Sequence, residues 1–243
     1  MKLGICQMSI SDDIDLNAKK IVNFLDKARE QDIDLLVFPE MSLTGYNPDI
    51  ILASNLNTIV DSCINRIREK GDSLKIGAVI GHAYNEGDKL YNRLSVILPG
   101  EGIYTYDKMH LVQAEGKYFE PGSKFLTFTY KDEMFGVMIC RDQNDPKIAE
   151  ELVKRGAQFI FIISAHYYKP KEARWKLEKN RAIPITRAVE NRVYVLLPNT
   201  VGSHLGMISL GNSLIADPDG AVVVSAGESE ETILSLSLYE FEE

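Results

Sequence analysis

The sequence predicts an α/β fold of two sheets, each covered on its outer side by helices, and three observations carry that prediction. Helical patterns fall in pairs, two early and two late, with many short strands between them. The order strand, helix, strand recurs around residues 3–40 and again around 135–163, which hints at two similar halves. The chain has 243 residues and 45% hydrophobic content, enough to bury a large core, and shows no short-period repeat, low-complexity tract or linker. One domain over 1–243 is therefore expected.

Taken in order, residues 3–8 read as a first strand, broken by Ser11, Asp12 and Asp13. In 15–31 the apolar residues Leu16, Ile21, Phe24, Leu25 and Ala28 fall mainly on one face at helical spacing, the mark of an amphipathic helix on a sheet. Residues 34–40, DLLVFPE, form a short apolar strand that ends in a carboxylate. A loop through Gly45 and Pro48 leads to a second helix over 57–70, closed by Gly71. KIGAVIGHAY and YNRLSVILP read as a hairpin turned at 85–88, and 102–111 as a strand that delivers Lys108 near its end. An irregular polar loop over 112–122 precedes a second hairpin, FLTFTY with MFGVMIC. Asp145 and Pro146 read as N-cap and first residue of a helix that Gly156 stops. QFIFIISAHYY is a strand turning polar at Ser164; a helix over 171–191 follows, in which Pro184 implies a break or kink. VYVLLPNTVG, SLIADPDGAVVVS and TILSLSL supply the last strands, the middle one turned at 217–220.

Composition narrows the function. A net charge of −8, with no cluster of Lys and Arg among aromatics, argues against a nucleic-acid surface and for a small-molecule partner. The N-terminal MKLGICQMSI is too short and too polar for a signal peptide or membrane span. Three scattered cysteines without CxxC spacing suit a reducing compartment and no structural zinc site, so a cytoplasmic, soluble chain without metal or cofactor is expected.

Glu40, Lys108 and Cys140 each stand at or near the end of a predicted strand, where α/β folds gather active-site groups. Cys140 leaves an apolar run into a tight turn, and a helix follows within a few residues. That geometry raises a side chain on a strained turn, and the helix N-terminus favours a thiolate. Cys140 alone reads equally well as a small buried hydrophobe, the reading taken for Cys6 and Cys63. Alone, Glu40 and Lys108 read as ordinary surface residues. Together the three match one chemistry, in which a thiolate attacks an amide carbonyl, a carboxylate moves the protons, and a lysine with a backbone N–H stabilises the oxyanion.

LLVFPEMSLTGY around Glu40, YDKMHL around Lys108, EGKYFEPG around Glu115 and GVMICRDQNDP around Cys140 resemble, in that order, the motifs of the nitrilase or carbon–nitrogen hydrolase superfamily. RAVENRVYVLLPNTVG and SLIADPDGAVV resemble its C-terminal half. The resemblance implies a four-layer α-β-β-α sandwich whose helical faces pair into dimers. It also implies a Glu40–Lys108–Cys140 triad with Glu115 positioning the lysine and the substrate. Arg141 and Pro146-Lys147 stand where relatives commonly carry an aromatic or small residue and a Pro-Glu pair. Cys140-Arg141-Asp142 also replaces the Cys-Trp-Glu typical of nitrile-hydrolysing members, which favours linear amides such as ω-amides or N-carbamoyl compounds.

Arg141, Tyr46 and His166 are the expected substrate-binding residues. The guanidinium of Arg141 either grips a substrate carboxylate or pairs with Asp142, Asp145 or Glu115 and holds the loop. His110 is expected to support the Lys108 loop. A papain-like centre has no fitting histidine signature, a paired-carboxylate hydrolase on Glu40 and Glu115 would leave Lys108 and Cys140 unexplained, and a binding or scaffold module keeps the fold without the chemistry. Trp175, Leu177, Ile183 and Val189 mark an apolar helix face suited to a two-fold dimer.

Overall fold

A computed structural model describes residues 1–238. The first half runs β1 (Lys2–Gln7), α1 (Ile14–Glu30), β2 (Leu35–Val37), a short α2 (Pro48–Ile51), α3 (Leu56–Leu74), β3 (Gly77–Glu86), β4 (Lys89–Ile97) and β5 (Ile103–Asp107). The second runs β6 (Thr127–Tyr130), β7 (Glu133–Ile139), α4 (Pro146–Lys154), β8 (Phe159–Ile163), α5 (Pro170–Asn191), β9 (Tyr194–Leu197), β10 (Val201–His204), β11 (Met207–Leu210), β12 (Leu214–Ala216), β13 (Val222–Ser225) and β14 (Thr232–Ser237). Two six-stranded sheets result, ordered β14-β1-β2-β3-β4-β5 and β13-β12-β9-β8-β7-β6. Both recurring strand–helix–strand segments become parallel pairs, β1 with β2 and β7 with β8.

The alternation along each strand explains the layers. On β7 and β8, Phe135, Val137, Ile139, Phe159, Phe161 and Ile163 join the core between the sheets, while Met138, Ile160 and Ile162 pack against α4 and α5. On the other sheet Leu3, Ile5 and Val79 face inward, and Cys6, Ala78 and Ile80 pack with α1 and α3. Strands with both faces covered read as continuous apolar runs. The result is the expected four-layer α-β-β-α sandwich, with Cys6 and Cys63 buried as small core residues.

Four expectations need correction. The second helix does not close at Gly71 but runs to Leu74, with Lys75 left-handed as its cap. Gly71 serves close approach instead, since a Cβ there would stand 2.7 Å from the Ile76 carbonyl oxygen. Pro184 does not break α5, which is continuous; the helix loses one N–H donor and stays packed through Ile185 and Ala188. VYVLLPNTVG reads as one strand, yet its last residues turn away from β9 and pair with β11 as the antiparallel ribbon β10–β11. The loop over 112–122 contains a 3₁₀ turn, Glu115–Lys117. Among the described residues no helix is long and apolar enough to cross a membrane.

Candidate active site

β2 ends at Val37, and the chain then lies along the end of β3, with Phe38 N–H donating to Val79 O (2.8 Å) and Leu43 N–H to Gly81 O (3.0 Å). The approach is so close that a Cβ on Gly81 would stand 2.5 Å from Met41 N and 2.8 Å from Glu40 Cα. A glycine in KIGAVIGHAY is thus what lets the Glu40 carboxylate sink fully into the interior. β5 delivers Lys108 immediately after Asp107, also buried. β7 delivers Cys140 at φ +44°, a left-handed conformation that costs an L-residue roughly 1–2 kcal/mol and marks the strained turn expected from sequence.

Asp142 ties the last two together. One carboxylate oxygen accepts from Tyr106 OH (2.8 Å) and Ile139 N–H (3.0 Å), the other from Met109 N–H (3.1 Å) and His110 N–H (2.7 Å). The Lys108 loop and the Cys140 turn are therefore held by one buried side chain. The His110 ring lies 3.3 Å from Asp142 and 3.6 Å from Asp145, beside that loop.

At the centre, Lys108 Nζ donates to Glu40 Oε1 (2.7 Å) and to both oxygens of Glu115 (2.8 and 2.9 Å). Ala165 N–H donates to Glu40 Oε2 (3.0 Å), and Val112 N–H to Glu115 Oε2 (2.9 Å). Burial opposes the charge on Lys108, but the carboxylates of Glu40 and Glu115 outweigh it and keep the ammonium protonated well above the ordinary lysine range. The Cys140 thiol moves the other way from expectation. Burial and then Glu40 push it well above the usual thiol range, against the pull of Lys108. A 3₁₀ turn, Cys140–Asn144, separates it from the start of α4 at Pro146. The resting group is therefore a thiol. Burial also raises the Glu115 carboxyl, opposed by Lys108.

These groups open into a pocket of about 500 Å³ lined by all seven residues singled out from sequence: Glu40, Tyr46, Lys108, Glu115, Cys140, Arg141 and His166. Its apolar wall includes Ile51, Val112, Phe119, Leu205 and Met207, so the pocket suits an organic molecule larger than a minimal amide. Tyr46 OH stands 3.5 Å from Glu115 Oε1, and its own N–H donates to His204 Nε2 (3.1 Å). His166 is buried, which lowers its pKa to about 4 and leaves the imidazole neutral near pH 7. Arg141 is exposed at the wall; Asp142 and Asp145 face His110, Glu115 holds Lys108, and Arg141 has no ion-pair partner among the described residues. Lys176 adds a third cation, its Nζ 4.2 Å from the Tyr168 ring centroid and 3.7 Å from Glu172. No three His, Cys, Asp or Glu side chains form a metal-binding group among the described residues.

Two contributors escaped the sequence reading. Asn92, on β4, donates to Glu40 and Glu115, and Lys176 reaches the pocket from α5. A signal for Asn92 existed: it shares strand parity with the inward-facing Leu94 and Val96, a polar residue on an apolar row.

The sequence profile of a family described as carbon–nitrogen hydrolase matches residues 2–238. A nitrilase of Pyrococcus abyssi is 34% identical over 227 residues, covering 90% of this chain and 82% of that protein. A glutamine-dependent NAD(+) synthetase of Acinetobacter baylyi is 28% identical over 96% of this chain, which spans only 43% of that longer protein. The solved structure of an amidase from Nesterenkonia superposes with a TM-score of 0.86 at 24% identity, covering 99% of this chain and 91% of the other, and shares the fold.

Proposed function

The chain belongs to the carbon–nitrogen hydrolase family, and from that premise we propose that it hydrolyses the C–N bond of a small linear amide through a thioester on Cys140. The observation that carries this reading is the buried cluster in which Lys108 is held between Glu40 and Glu115 at the wall that also bears Cys140. Glu40 takes the thiol proton as Sγ attacks the carbonyl carbon; Lys108 and the Arg141 N–H stabilise the oxyanion. The C–N bond breaks as Glu40 returns the proton to the leaving nitrogen, and Glu40 then activates the water that releases the acid. Glu115 holds Lys108. Three separate free thiols accord with a reducing, cytoplasmic compartment. The test is ammonia release over ω-amides, N-carbamoyl compounds, aliphatic amides and nitriles, wild type beside Cys140→Ala. A preference for nitriles would replace the amide reading with that of the Pyrococcus relative.

The guanidinium of Arg141, without an ion-pair partner among the described residues, supports a substrate carrying a carboxylate, gripped in a forked pair. Arg141→Ala should then lower kcat/KM by about 1.5–3 kcal/mol for a carboxylate-bearing amide and leave a neutral amide nearly unchanged. An equal fall for both substrates would assign Arg141 to the loop alone.

A two-fold dimer through α4 and α5 completes the proposal. Trp175 is 82% exposed and Val189 47%, whereas Leu177 and Ile183 are half-buried against the chain's own layers, so the first pair carries the association. Sedimentation at micromolar concentration should give twice the 27.3 kDa chain mass, and a monomer would refute it.

A further inference from the structure

Asn92 is fully buried at the junction of the two carboxylates. Its Nδ2 donates to Glu40 Oε1 (2.8 Å) and to Glu115 Oε1 (3.1 Å), and its backbone carbonyl oxygen accepts the backbone N–H of Lys108 (2.9 Å). Its Oδ1 is buried without a partner among the described residues. Burying an amide oxygen unpaired is unfavourable, so the side chain is oriented by the demand for two donors: turned over, its oxygen would face two carboxylates. The consequence lies in the lone pairs. Glu40 Oε1 already accepts from Lys108 and Asn92, and both Glu115 oxygens accept at least two bonds each, from Lys108 with Asn92 and from Lys108 with Val112. Of the four carboxylate oxygens of Glu40 and Glu115, Glu40 Oε2 carries the lightest load, a bond from Ala165 N–H.

Resting on the thioester reading above, we propose that Asn92 is a positioning residue that occupies Glu40 Oε1 and leaves Oε2 as the oxygen that takes and returns the proton. In the first step the S–H bond breaks, the proton passes to Oε2 and Sγ bonds the carbonyl carbon. In the next the C–N bond breaks and the same proton leaves Oε2 for the nitrogen. Without Asn92, Oε1 keeps an open lone pair, and the carboxylate can rotate or take the proton on the side away from the thiol.

Asn92→Asp and Asn92→Ala separate this from mere space filling. Asp has the shape of Asn but replaces two donors with acceptors beside two carboxylates, whereas Ala leaves a gap. A filler role makes Asp the milder change; the donor role makes it at least as harmful. With the best amide from the screen, both variants should lose about ten- to a hundredfold or more in kcat, the scale of a lost bond to a charged group, with KM nearly unchanged. Asn92→Asp with near-normal kcat, or a change in KM alone, would overturn the proposal. Independently of whether either variant folds, a neutron structure of the wild-type protein should place both Nδ2 deuterons toward Glu40 Oε1 and Glu115 Oε1; the opposite amide orientation would overturn it. Turnover by Cys140→Ala would instead overturn the thioester reading, so the two failures are distinct.

Discussion

Cys140→Ala is expected to lose about four orders of magnitude or more in kcat while the protein stays folded. The change removes the nucleophile and only one sulfur's volume from a partly exposed position at the pocket wall, so the packing loss is small. It also relieves a thiol that burial and Glu40 both hold protonated. The cluster of Glu40, Lys108, Glu115 and Asn92 does not depend on Sγ for any of its hydrogen bonds. Single-turnover mass spectrometry with a slow amide should show an acyl adduct on Cys140 in the wild type and none in the variant. Full activity in Cys140→Ala would return the chemistry to Glu40 and Glu115 as a paired-carboxylate hydrolase.

Lys108→Ala is expected to fail twice. Loss of the oxyanion cation removes roughly 3–4 kcal/mol of transition-state stabilisation, the scale of one oxyanion donor. The structure adds a cost that sequence alone did not suggest, since Lys108 is the only cation bonded to two buried carboxylates among the described residues. Removing it strands them, and breaking a buried pair from one side costs about 3–5 kcal/mol of stability. Urea unfolding should therefore show a marked loss, where a fold-neutral change would be expected for an exposed lysine. A second variant separates the effects: Lys108→Met with Glu115→Gln should recover much of the stability and none of the activity. Recovery of turnover would remove Lys108 from the oxyanion, and an unaltered unfolding midpoint in Lys108→Ala would mean that the cluster is not ionised as drawn.

The Cys140 turn was legible because everything that makes it is local: an apolar strand, a polar break, and a helix capped by Asp145 with Pro146 lie within a few residues of one another. Glu40 and Lys108 were legible as strand ends, and the two parallel strand–helix–strand units as a repeated order, for the same reason. What the local pattern could not hold was anything settled between distant strands. Asn92 looked like an ordinary strand residue until β2, β4 and β5 brought Glu40, Asn92 and Lys108 to one point, 52 and 68 residues apart from Glu40 in sequence. Gly71 looked like a helix stop because the carbonyl it must approach belongs to the turn after the helix. The thiolate favoured by the motif became a thiol because desolvation depends on what packs around Sγ. Arg141 could be placed one residue after Cys140 but not assigned a partner, since Asp142 spends its oxygens on the Lys108 loop and on Tyr106. Patterning along a chain sets which elements form and which side chains leave their ends; charge state and hydrogen-bond partners come from burial and packing, and these exist only once the sheets have met.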